Sequence, residues 1–198
     1  ASKKGGGSPA FNWRYYAYGS TIGTTRIVWY ANGTVNTLRT ITGQQHNTTG
    51  LTWNTYSEDL SAYSGQTGYI YIVYSPGTDF YNDPQYDNME LVGTTAGTIN
   101  LDPGTAFGRT QWYGTTYTNY STVLSPNGLP LNQVLTATTA TNVWNYWRGG
   151  TPTASTGDTR DADGSTTNYF LYFEGSSPNY STSTRYYWCR HLNSYTLL

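Results

Sequence analysis

Apolar and polar residues alternate with a period of two along much of this chain, as they do in strands that bury one face. The clearest case is TRIVWYANGTVNTLRTITG, residues 25–43, where two β-branched runs flank Asn32-Gly33. Asn-Gly accepts the positive φ of a two-residue turn, so this stretch predicts a β-hairpin. In GYIYIVYSPG, residues 68–77, Ile70, Ile72 and Tyr74 alternate with Tyr69, Tyr71 and Val73, so both rows are apolar or aromatic. That predicts a strand covered on both sides, or one whose outer tyrosines meet a neighbour. NMELV, residues 88–92, reads as a short strand after the turn-rich TDFYNDPQYD. NYFLYFEG sets Tyr169, Leu171 and Phe173 against Phe170, Tyr172 and Glu174, and TRYYWCRHL sets Tyr186 and Trp188 against Tyr187 and Cys189. No window of helical length carries a 3.6-residue apolar stripe. Many short strands between turn signals predict an all-β sandwich or jelly roll.

Texture divides the chain further. Residues 1–10 read as a flexible Gly-rich arm and residues 11–198 as a single domain. Within that domain, residues 94–143 are rich in Thr, Gly, Pro and Asn, with brief apolar runs such as LPLNQVL, and read as a connector with some strand content. The regular parts are residues 11–93 and 144–198.

Composition narrows the functions. Only 11% of residues are charged and the net charge is -1, which leaves no electrostatic footprint for nucleic acid or an anionic membrane surface. Neither partner is expected. The chain instead carries 21 tyrosines and seven tryptophans, residues that suit pleated, half-buried surfaces and exclude disorder beyond the first nine positions. Cys189 is the only cysteine, so an intrachain disulfide and a thiolate zinc site are both excluded. With no apolar stretch behind Lys3 and Lys4, the sequence predicts synthesis in the cytoplasm without a signal peptide.

Candidate chemistry is sparse. His46 and His191 lack a nucleophile elbow or a paired partner, and both read as surface or packing histidines. Glu58 and Asp59 are adjacent and on a strand would face opposite ways, a poor arrangement for glycosidase chemistry. DTRDADG, residues 158–164, is the best metal candidate: Asp161 and Asp163 supply hard oxygen ligands ahead of Gly164, although Thr159 and Phe170 stand where an EF-type loop needs its first and last ligands. Two readings stay open, carboxylates capping backbone donors in a turn and a structural calcium site. Asp79, Asp83 and Asp87 form a looser group read as turn-makers. Four N-x-S/T sequons, at Asn32, Asn47, Asn119 and Asn179, are expected to remain bare, and Cys189 to be packed in its strand.

Several of these stretches together resemble a known family. WRGGTPTASTGD and DADGSTTNYFLYFEGSSP resemble the opening half of a MAM domain, carried by Trp147, Thr151 to Thr153, Thr156-Gly157, Asp161 to Gly164 and Tyr169 to Glu174. FNWRYYAYGSTIGTTRIVWY and the run from Trp53 to Val92, with its DLSAYSGQ turn and Asp87, are similar to that family's second half. The resemblance implies a jelly-roll β-sandwich. It departs from the family in lacking the usual cysteines and in having its halves reversed. The reversal implies either a circularly permuted sandwich closed within one chain, the simpler account, or a sandwich completed by a neighbouring subunit. Such a chain is expected to act as a non-enzymatic structural or adhesive virion component, a capsid decoration protein or a tail or fibre module of a bacteriophage. Its expected partners are other virion subunits, copies of itself among them. The alternative is a carbohydrate-binding module that recognises host-surface glycan.

Overall fold

The computed structural model describes residues 8–47, 52–78, 83–101, 134–136, 144–147, 162–164, 170–173, 185–188 and 194–198. Seven strands come from the first hundred residues: β1 (Ala10–Tyr16), β2 (Thr24–Ala31), β3 (Thr34–Thr42), β4 (Asn54–Asp59), β5 (Thr67–Ser75), β6 (Gln85–Thr94) and β7 (Gly97–Asn100). Five follow: β8 (Val134–Thr136), β9 (Trp144–Trp147), β10 (Phe170–Phe173), β11 (Arg185–Trp188) and β12 (Tyr195–Thr196). A single 3-10 turn, Ser61–Tyr63, is the only helical element among the described residues.

These strands make an all-β sandwich of two sheets. The first is ordered β4-β1-β6-β10-β9-β8 with β7 also on β6, and the second β11-β5-β2-β3 with β12 also on β5. Every pairing is antiparallel except that of β8 with β9. Each sheet has a central strand whose second edge is shared by two short partners. On β6 these are β10, through Leu171–Tyr86, and β7, through Leu91–Ile99. On β5 they are β11, through Tyr187–Ile72, and β12, through Tyr195–Gly68. Strands from residues 170–196 thus pair onto both sheets begun by residues 10–100, so in this structure the sandwich closes within one chain.

Local chemistry sets the register. Asn32 (φ 54) and Gly33 (φ 73) form the left-handed turn of the β2–β3 hairpin, as the Asn-Gly pair predicts. Asn88 also has positive φ (50) inside β6, where the pairing with β1 shifts between Asn12 and Arg14. This bulge changes the phase of β6, so Tyr86 before it and Met89 and Leu91 after it all enter the core. Gly68 is needed for a different reason: a Cβ there would overlap the Tyr30 carbonyl and the Trp29 ring on the adjacent β2. β6 continues past residue 93 into a hairpin with β7, so β7 and β8 are the strand content of the predicted connector. Thr94 ties that turn by donating its hydroxyl to Gly97 O at 2.6 Å.

The core lies between the inner faces. Phe11, Trp13 and Tyr15 of β1, Ile27 and Trp29 of β2, Ile70, Ile72 and Tyr74 of β5, and Leu171 and Phe173 of β10 share one apolar cluster. β5 is buried on both rows, since Tyr71 and Val73 are covered as well as Ile70, Ile72 and Tyr74. A smaller cluster of Tyr16, Trp53, Ala162, Phe170 and Tyr172 covers part of the outer face of the first sheet. The alternation read from NYFLYFEG holds in β10, with Leu171 and Phe173 inside and Phe170 and Tyr172 in this second layer.

Candidate functional site

Three polar constellations stand out against this aromatic background. The first lies inside the sandwich. Thr25 Oγ1 of β2 is 3.1 Å from Tyr15 Oη of β1 and 2.7 Å from Tyr86 Oη of β6, a hydroxyl chain that links the two sheets. Gly23 N–H donates to Tyr74 Oη at 2.8 Å nearby. Burial pushes the Tyr15, Tyr74 and Tyr86 phenols well above their ordinary range, because a phenolate in an apolar core would lose its hydration. These hydroxyls link the strands around them by hydrogen bonds.

The second closes one rim. Glu58 of β4 points inward with its side chain 3% exposed, and Arg39 Nε of β3 donates to its two oxygens at 2.8 and 2.7 Å. Trp13 Nε1 donates to Glu58 Oε2 at 2.7 Å, and the Arg39 guanidinium lies 4.5 Å from the Tyr56 ring centre. The edge strands of the two sheets are therefore joined by an ion pair. Asp59, the next residue, faces solvent, as strand alternation requires. Its carboxylate accepts Ser61 N–H at 2.8 Å, and that backbone bond holds it below the usual carboxylate range.

The third occupies the outer face of the first sheet. Ser57 of β4, Asn12 of β1, Glu90 of β6 and Asn100 of β7 sit in one cross-strand row. Ser57 Oγ donates to Asn12 Oδ1 at 2.6 Å, and Asn12 Nδ2 donates to Glu90 Oε1 at 2.9 Å. Asn88, Met89, Glu90 and Asn100 line an open groove of about 480 Å³ beside this row. One row further along, Arg14 Nη2 donates to Trp53 O at 3.3 Å and Nη1 lies 3.8 Å from Asp163 Oδ1. Asn88 Nδ2 donates to both Asp163 oxygens at 3.3 and 3.2 Å.

His46 borders this face. Its Nδ1 accepts Ala17 N–H at 3.0 Å, and Nε2–H donates to Thr52 O at 2.6 Å, which fixes the neutral tautomer. The ring stacks on Tyr16 with centroids 4.4 Å apart. Burial lowers its pKa from the ordinary value, opposed by the bond to the Thr52 carbonyl. The ring is buried in the packing around Tyr16.

Asp163 is brought onto Arg14 and Asn88, whereas Asp161 lies outside the described residues, as do Asp79, His191 and Cys189. Among the described residues no group of three or more His, Cys, Asp or Glu side chains gathers to hold a metal ion. Asp83 is buried just ahead of β6. Asp87, read as a turn-maker, is instead a fully buried strand residue of β6 whose Oδ2 accepts Ala162 N–H at 2.7 Å. It anchors a turn from another part of the chain rather than making its own. Comparison with protein-family models, with curated proteins and with solved structures finds no match to this chain.

Proposed function

We propose that this chain is a non-enzymatic structural component that acts through protein–protein contact in a repeated assembly, a bacteriophage virion protein of the capsid-decoration or tail-and-fibre class. The observation that carries this is how its ionisable groups are used. His46, Glu58 and Asp87, three of the buried ionisable side chains, are each engaged in bonds that join one strand or turn to another. The exposed strand β3 offers Thr, Asn and Val instead. Depleted charge with abundant tyrosine suits the buried centre of subunit contacts. The virion setting, and the MAM-like ancestry with it, rest on the sequence motifs, which the sharing of one sandwich by residues 10–100 and 170–196 supports. Mass spectrometry of purified particles from the producing culture is expected to find the chain at a fixed copy number. Its consistent absence from particles overturns the reading.

A second reading, glycan binding, is favoured by the groove at Asn88, Glu90 and Asn100, whose amides and carboxylate can pair with sugar hydroxyls. Against it, Trp13 and Trp29 are spent in the core and offer no stacking platform. A glycan array decides: binding abolished by Glu90→Ala would establish this reading.

A further inference from the structure

We propose that strand β3 is a self-pairing edge, which joins two copies of the chain antiparallel about a two-fold axis and continues the second sheet from one subunit into the next. This rests on the reading above that the chain works by contact between subunits, and it names the surface. β3 is nine residues long, ends its sheet among the described residues, and has exposed side chains at Val35, Thr37, Thr40 and Thr42. Val35 is 52% exposed. A strand of that length presents about 30 Å of edge.

The backbone phase of this edge can be worked out. Residues flanking a two-residue turn exchange both backbone bonds, so Ala31–Thr34 and Trp29–Asn36 are bonded pairs, and Val35 and Thr37 aim N–H and C=O away from β2. The extra residue opposite Ile27 and Val28 reverses the phase, and Gly43 N–H accordingly bonds Gly23 O at 2.9 Å. Beyond the shift, Thr40 and Thr42 therefore aim outward. Antiparallel self-pairing needs outward residues opposite outward residues. One register achieves this at all four positions: Val35 faces Thr42 of the second copy and Thr37 faces its Thr40, with both relations repeated by symmetry.

Charge permits the same arrangement. Edge strands are commonly defended by a charge or a bulge. The single charge on β3, Arg39, is already held by Glu58 on the inner side of the strand. The bulge falls at the two-fold axis in both copies, where it selects this register rather than interrupting it. The occupant that matches this phase without a charge penalty is a second β3, with Val–Thr and Thr–Thr cross-strand contacts. The paired area falls below about 1,000 Å², so a single contact is weak and gains strength by repetition in an assembly.

The test uses the full chain with Cys189→Ser, so that only introduced thiols react. Thr37→Cys/Thr40→Cys places thiols on directly opposed residues, with Cα atoms about 5.5 Å apart in such a bonded pair, within disulfide range. Mild oxidation is expected to give a covalent dimer from the double variant and none from either single variant, because neither residue faces its own copy. Independently, Thr37→Lys/Thr40→Lys sets like charges opposite one another and is expected to lower the association constant by about tenfold or more in sedimentation velocity. All four β3 substitutions are on exposed positions, and thermal melts of each variant against Cys189→Ser alone check folding. No dimer from the double variant, equal cross-linking in the single variants, or association untouched by the lysines overturns the proposal. Unchanged association would assign contact to another surface and leave the assembly reading, judged on particles, standing.

Discussion

Replacing Thr25 by Val tests whether the hydroxyl chain across the sandwich specifies its core. The substitution keeps side-chain shape and β-branching and removes only the oxygen between Tyr15 and Tyr86. Tyr15 is fully buried, so its hydroxyl would remain in an apolar environment without its Thr25 partner. An orphaned buried hydroxyl costs about 1–3 kcal/mol, against about 1 kcal/mol for deleting a hydrogen bond together with the group that makes it. Thr25→Val is therefore expected to lose about 2 kcal/mol, or about 4–8 °C in Tm for a domain of this size. Tyr15→Phe should lose about 1 kcal/mol, because Thr25 keeps Tyr86 as a partner. The double variant should cost no more than Thr25→Val alone, which gives a coupling of about 1 kcal/mol in a double-mutant cycle. Urea unfolding followed by tryptophan fluorescence measures all three. Strictly additive losses, or a Thr25→Val chain as stable as the parent, would show that the chain of hydroxyls contributes nothing beyond packing.

Three further outcomes are expected. Arg39→Met removes the counter-charge from Glu58 and should cost about 2–3 kcal/mol in urea unfolding, below the value for fully buried pairs because Arg39 is partly solvated; adding Glu58→Gln, which keeps an acceptor for Trp13, should recover at least half. His46 has a folded pKa below its unfolded value, so the unfolded chain binds more protons between the two. Stability is complete above about pH 6.5 and falls as pH drops towards the folded pKa, a slope in Tm that His46→Asn should remove. Chelator is expected to leave Tm within about 2 °C, since a required cation would stabilise by mass action; a larger fall would assign Asp163 and Asp161 to a cation site.

Strand identity was legible because its causes are local. Asn32-Gly33 dictates a hairpin whatever surrounds it, and the two apolar rows of β5 predicted cover on both sides. The bonding partners were not legible. Glu58, Arg39 and Trp13 lie far apart in sequence, and nothing in TVNTLRTIT marks Arg39 as turned inward; the extra residue in β3 does that, and a bulge has no reliable signature in a Thr-rich strand. The same holds for Asp87. Its neighbours in YNDPQYDN look like turn chemistry, yet the positive φ falls on Asn88, within β6 rather than between elements.

The closure of the sandwich bears on which surfaces remain for partners. β5 and β6 are the strands most in need of completion, since each has strands on both edges and part of one edge is supplied from more than 80 residues away. Residues 195–198 then bridge the sheets: Leu197 bonds Gly65 and Gln66 ahead of β5, while Leu198 N–H bonds Gly93 O and Thr196 O accepts Thr95 N–H at the end of β6. A sandwich completed by exchange between subunits would spend the same β5 and β6 edges on a neighbour. Closure within the chain spends them internally and leaves β3 and β4, side by side at the rim joined by Arg39 and Glu58, as outer edge strands of the two sheets. Glu58 must stay buried to satisfy Trp13 and Arg39, so the β4 edge is held by its ion pair while β3 projects its uncharged Thr-rich outer row into solvent. Assembly through β3 therefore requires no unfolding of the closed subunit, and that separates it physically from strand exchange.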